Sequence, residues 1–121
     1  MTEERHQLLA HYREMRRDLL STIEGLTDAQ LVEPSLDGWS VKDHLAHIAL
    51  WDDLRSAEVR RISAGHASAW RMAGEQDAVL GALVYELRRD LSLEQVRWEL
   101  DDSHHRLLEA LAGATAAGLA A

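Results

Sequence analysis

The chain contains no cysteine, which excludes disulfides, thiolate metal sites and cysteine nucleophiles, and removes redox usage as a guide to compartment. Proline occurs once and glycine seven times in 121 residues, so punctuation is sparse and long helices are expected. No apolar run approaches the ~18 residues that a membrane span requires. The opening MTEERHQLLAHYREMRRDLL is charged from its third residue and lacks the apolar core of a signal peptide. The expected setting is the cytoplasm, with no membrane partner. Basic residues are outnumbered, 13 against 21 acidic, for a formal net charge of −8. They are scattered rather than gathered into a stripe, which argues against a phosphate backbone as ligand, so nucleic acid is not an expected partner. Neither a glycine-rich phosphate loop nor a serine in a nucleophile elbow occurs.

What is present is a chain with 46% hydrophobic and 28% charged residues, enough for one continuous core and one domain over residues 1–121. Thr2 with Glu3 and Glu4 suits a helix start, because a hydroxyl accepts a free backbone N–H and carboxylates oppose the positive end of the dipole. Leu8, Tyr12, Met15, Leu19 and Ile23 then recur at spacings of three and four, which predicts a helix over 2–24 with one buried stripe ending before Gly25. In LTDAQLVEPSLDGW, Thr27 and Gln30 have capping-box spacing for one short turn, and Pro34 with Asp37-Gly38 breaks continuation. Ser40 with Asp43 caps a helix over 41–64 whose buried side carries Leu45, Ile48, Val59 and Ile62. In the loop GHASAWRMAGE, the bulky Trp70 and Met72 are expected to fold over a core edge. Residues 75–90 read as helix through Val79, Leu80, Leu83, Val84 and Leu87. Ser92 with Gln95 restarts the pattern, which runs through Leu93, Val96, Leu100, Leu107 and Leu111 to Gly113. The tail GATAAGLAA has no amphipathic face and is assigned no element. No strand-like alternation and no internal repeat is visible.

The chemistry lies in DGWSVKDHLAHIALWDD, residues 37–53. His44, His47, Trp51 and Leu54 step by three, four and three, so they share one narrow stripe beside the Leu45 and Ile48 side. In the last helix, His104 takes a core slot of the stripe. A lone histidine on an apolar face is usually a core residue whose ring nitrogens find a carbonyl or carboxylate. Two on different helices of a bundle also suit a divalent metal. His47 and His104 are therefore expected to face a common cavity as catalytic or metal-ligating residues. His105, about 100° round the helix from its neighbour, is a surface residue, as are His6, His11 and His66. Trp39, just before a cap, reads as a hydrophobic staple. Asp52 and Asp53 read as a solvated pair, with Asp52 as general base or partner of a ligating histidine the alternative. Asp101 lies one turn below His104 and His105 and is placed to orient either ring.

These residues also carry a family resemblance. GWSVKDHLAHI, Gly38 to Ile48, set between the GLTDAQL connector and RRDLSLEQVRWELDDSHHRLLEAL, resembles the DinB-like four-helix-bundle superfamily over nearly the whole chain. The resemblance implies an all-α, antiparallel, up-and-down bundle, often dimeric. It implies a divalent metal, zinc or nickel, held in many members by three histidines. It also implies thiol-dependent transferase or isomerase activity using a low-molecular-weight thiol such as mycothiol or bacillithiol. A further branch, similar to the colibactin self-resistance protein, hydrolyses or sequesters a reactive cyclopropane without an evident metal. By position, His47 matches the ligand on the second long helix and His104 a polar position facing the same cavity. The family's other two ligands form a His-x-x-x-His pair on a final helix, and the sequence reaches Ala121 without one. The last helix is therefore expected to be short or missing and metal binding weak, with His44 a candidate compensating ligand.

Three function classes follow. The first is a metal- and thiol-dependent transferase or hydrolase acting on an electrophilic small molecule through His47, His104 and Asp52, with Trp51, His44 and Trp39 against the substrate. The second is a binding or self-resistance protein that sequesters or hydrolyses a reactive natural product. The third is a helical interaction module whose uncovered apolar stripe is closed by another protein. An uncovered stripe also predicts a homodimer.

Overall fold

The computed structural model describes residues 2–35, 38–69 and 73–120, the last range without the side chains of 73–80. The expected fold-back of Trp70 and Met72 lies outside the described residues. The elements are α1 (Thr2–Ile23), α2 (Asp28–Val32), α3 (Val41–Ser63), α4 (Ala73–Arg88), α5 (Leu93–Ala112) and α6 (Ala116–Leu119). Every described element is helical. No helix among the described residues is long and apolar enough to cross a membrane.

The caps fall where the side chains call for them. Thr27 accepts the Gln30 amide at 3.1 Å and Gln30 accepts the Thr27 amide at 2.9 Å, which closes the single turn of α2. At α3, Ser40 Oγ accepts the Asp43 amide at 3.1 Å while Asp43 Oδ2 accepts the Ser40 amide at 2.9 Å. Two of the amides that a helix start leaves free are thereby satisfied. Gly38, at φ 87°, turns the chain into this cap in a conformation that a Cβ disfavours. The staple expected of Trp39 is also present, and its partner is His44, with ring centroids 5.0 Å apart. Lys42 reaches across to the turn between α4 and α5, donating to the Arg89 and Leu91 carbonyls at 2.9 and 2.7 Å. Much of the Gly38–Asp43 motif therefore caps and docks helices.

The long helices run up, down, up, down. α1 is antiparallel to α3: Leu9 packs with Val59, while Leu19 and Ile23 pack at the Leu45 end. Tyr85 of α4 stacks on Trp39 at 5.1 Å and Gly81 lies beside His47, so α4 is antiparallel to α3 as well. α3 and α5 run parallel, with Leu45 beside Val96 and Val59 beside Leu107. Small residues along this contact, Ala46, Ala49 and Ser56 on α3 and Ser103 and Ala110 on α5, are all buried, which lets the two backbones approach closely. The chain belongs in fold class to the all-α, antiparallel up-and-down bundles.

The stripes differ from the sequence reading by a small rotation. On α1 the inward positions are Leu9, Tyr12, Arg16, Leu19 and Ile23, while Met15 is more than half exposed. On α5 the polar slot of the core is Ser103, at 0% exposure, and His104 is only partly buried beside it. A helix drifts from any three-four count, and the serine at 103, being small, goes into the tight α3 contact where an imidazole would not fit. The tail, assigned nothing from sequence, forms the short α6. Thr115 caps it, its amide donates to Ser63 Oγ at 3.2 Å, and Gly118 is buried against α3.

Candidate functional site

Two apolar clusters make up the core. One holds Leu9, Val59, Leu107, Ala110, Leu111 and Ala114; the other holds Leu45, Ala46, Ala49, Val96 and Leu100. Between them lies a polar layer. Arg16 of α1 is ion-paired with Asp52 of α3, both side chains being nearly buried. Arg16 also donates to the Leu100 carbonyl of α5 at 2.7 Å. Ser103 donates to Asp52 Oδ2 at 3.4 Å and to the Leu100 carbonyl at 3.2 Å. Asp52, at 9% exposure, is thus the hub of three helices rather than half of a solvated pair. Burial of a carboxylate is tolerable only with this degree of pairing. Its neighbour Asp53 meets Arg106 at 2.9 Å. Burial is the main influence on the Asp53 carboxyl and raises it above its ordinary value despite that guanidinium, helped by Asp102.

The polar layer opens into a cleft of about 320 Å³ lined by Tyr12, Met15, Arg16 and Leu19 of α1, Ile48, Trp51, Asp52 and Arg55 of α3, and His104 of α5. One wall is apolar. The other end carries the Tyr12 hydroxyl, which accepts from Arg55 Nη1 at 3.2 Å. The His104 imidazole is pushed below its ordinary pKa of 6.5, first by burial and then by the Arg16 guanidinium, with Asp52 opposing. It is therefore neutral at neutral pH, with a lone pair available. A size in the low hundreds of Å³, an apolar wall and a few convergent polar groups are the usual marks of a small-molecule site.

A family model for the DinB superfamily matches residues 11–121. The chain belongs to the DinB superfamily. Neither the curated proteins nor the solved structures gave a match.

Within this DinB-superfamily chain, the residues singled out from sequence are divided. Trp51, Asp52 and His104 come together at the cleft. His47 is not among the described residues lining it; it reaches the cleft through Trp51, whose Nε1–H donates to His47 Nε2 at 2.6 Å. Trp39 packs on His44, His47 and Tyr85, and His44 is exposed. His105 is exposed, its Nδ1 2.9 Å from the Asp101 carbonyl, so Asp101 orients His105. His6, His11 and His66 are exposed.

The metal implied by the superfamily needs three well-placed donors, and the described residues do not fit it. No three histidine, aspartate or glutamate side chains among them are grouped to hold an ion. The Nε2 lone pair of His47 is engaged by an indole N–H. His104 lies in the field of a guanidinium, which disfavours a dication. Sequence reasoning missed Arg16, Arg55 and Ser103. The available signal was the charge of Arg16 in a row, Leu9, Tyr12, Arg16, Leu19, Ile23, that otherwise holds apolar or aromatic side chains at helical spacing.

Proposed function

We propose that this chain is a DinB-superfamily small-molecule enzyme, a transferase or hydrolase that attacks an electrophilic carbon in the α1/α3/α5 cleft. The neutral imidazole of His104 beside the buried Arg16–Asp52 pair carries the reading. The nucleophile is a low-molecular-weight thiol or water. His104 takes its proton as the sulfur or oxygen bonds to carbon, the leaving group departs with the broken bond's electron pair, and His104 returns the proton to it. Burial and the Arg16 guanidinium make the protonated imidazole short-lived and so favour return of the proton, while the Asp52 carboxylate partly offsets them. Trp51, Leu19 and Ile48 offer the substrate body an apolar surface and keep water from competing with a thiol. Asp52 orders the layer and contributes its charge. The substrate is a compact, partly apolar electrophile, in keeping with the cleft's dimensions.

Purified protein is assayed with dinitrochlorobenzene and cysteine for thiol transfer, and with nitrophenyl acetate for hydrolysis. Turnover above the uncatalysed rate, falling about a hundredfold in His104→Gln, is the expected outcome for a positioned general base. Absence of turnover, or a His104→Gln variant as fast as the parent, contradicts the enzyme reading. Tight binding of an electrophile without turnover would instead favour sequestration.

A further inference from the structure

Trp51 is a wall of the cleft, yet its only donor group is satisfied within α3. The indole N–H donates to Nε2 of His47, one turn earlier, and the two rings meet edge to face at 5.8 Å. His47 is held in its turn. Trp39 packs against it edge-on at 5.7 Å, and Trp39 is stacked on Tyr85 of α4 with ring planes 12° apart. Gly81 of α4 lies alongside the imidazole, a Cβ built there falling at ordinary contact distance, 3.8 Å, from His47 Cε1. A ladder of rings, Tyr85, Trp39, His47 and Trp51, thus runs from α4 through the start of α3 to the cleft. Two consequences follow for His47. Its Nε2 carries no proton, because it accepts one. That nitrogen has a single in-plane lone pair, so the electrons a metal would require there are the ones the indole uses.

We propose that His47 is a positioning residue for the cleft: by accepting the Trp51 indole N–H it sets the angle of the ring that forms the substrate wall, in place of the metal-ligand role its position implies in the superfamily. The proposal rests on the α1/α3/α5 cleft being the ligand site. Without this acceptor the indole N–H must seek water or the cleft itself, and the ring turns with it. A glutamine at the same position keeps a carbonyl acceptor of similar reach; a leucine keeps only the bulk.

The test uses the whole protein at neutral pH. In proton–nitrogen correlation spectra the Trp51 indole N–H is assigned by its disappearance in Trp51→Phe. The proposal expects that proton to exchange slowly with solvent, to stay in place on addition of equimolar zinc, to remain protected in His47→Gln and to lose protection in His47→Leu. Calorimetric affinity for dinitroaniline, an unreactive analogue of the model electrophile, is expected to fall about tenfold in His47→Leu, the equivalent of one neutral hydrogen bond, and to stay near the parent in His47→Gln. An indole proton displaced by zinc overturns the proposal without need of any variant. So does a His47→Leu protein that keeps either its protection or its affinity. If the parent fails to bind dinitroaniline while its indole proton stays protected, the cleft reading falls and the His47–Trp51 bond stands.

Discussion

Arg16 and Asp52 face each other in the middle of the bundle, with only a tenth or so of either side chain in solvent. Removing one leaves the other's charge buried and uncompensated, so Asp52→Ala is expected to cost about 3–5 kcal/mol in urea unfolding. Adding Arg16→Met should recover most of that loss, since an apolar pair of similar volume needs no compensation. A single Asp52→Ala loss below about 1 kcal/mol, the level of exposed ion pairs, would show the pair to be solvated. His104 makes a pH prediction with a definite sign. Its folded pKa is lowered from 6.5, chiefly by burial and next by Arg16, so between the folded and unfolded values the unfolded chain binds more protons. Stability is therefore full above 6.5 and is lost as pH falls from there through the folded value. His104→Gln should flatten that part of the stability profile, and a parent whose stability rises over the same acid interval would reverse the assignment. The residue scale is where the sequence was least legible. Helical spacing ranks positions 103 and 104 almost equally for burial. What decides between them is how closely α3 approaches α5, a tertiary distance set by Ala46, Ala49 and Ser56. Asp52 read as solvated for the same reason: the arginine that makes its burial possible lies 36 positions away along the chain.

At the level of elements, caps and periodicity were sufficient for the four long helices, because Ser40, Ser92, Gly65 and Gly113 act through local hydrogen bonds or backbone conformation that the sequence itself carries. The last element was not legible because α6 exists by docking. Four residues cannot form a stable helix alone. Its buried Gly118 is selected by an absence of side chain: a Cβ there would fall 2.0 Å from Ser63 Oγ and 3.2 Å from the Val59 carbonyl. Gly118→Ala is therefore expected to destabilise by about 1–3 kcal/mol through overpacking, despite alanine's better helix propensity. Ser63→Ala on that background should return part of the loss by removing the closest atom. A Gly118→Ala protein more stable than its parent would mean that α6 does not seat on α3.

Over the whole molecule, the two apolar clusters and the polar layer between them are built mainly from α1, α3 and α5, with Ala114 and Leu119 of the tail and Leu91 before α5 added to them. Large apolar side chains do stand outside both clusters, Leu83 and Leu87 on α4 and Trp98 on α5, with Leu87 71% exposed. Leu87 and Trp98 are the chain neighbours of Arg88 and Glu99, whose ion pair ties α4 to α5. A homodimer through this side is our proposal for the assembly. Light scattering should give twice the chain's 13.6 kDa, reverting to the single-chain mass in Leu87→Lys; a single-chain mass in the parent contradicts it. The central claim, that a small molecule enters beside the polar layer against a neutral His104, is tested most directly by imidazole-resolved proton–carbon spectra recorded while dinitroaniline is added at neutral pH. Among the seven histidines, the account predicts a saturable shift of the His104 ring, with the exposed His6, His11 and His66 unmoved. A His104 resonance that stays in place through the titration would contradict it.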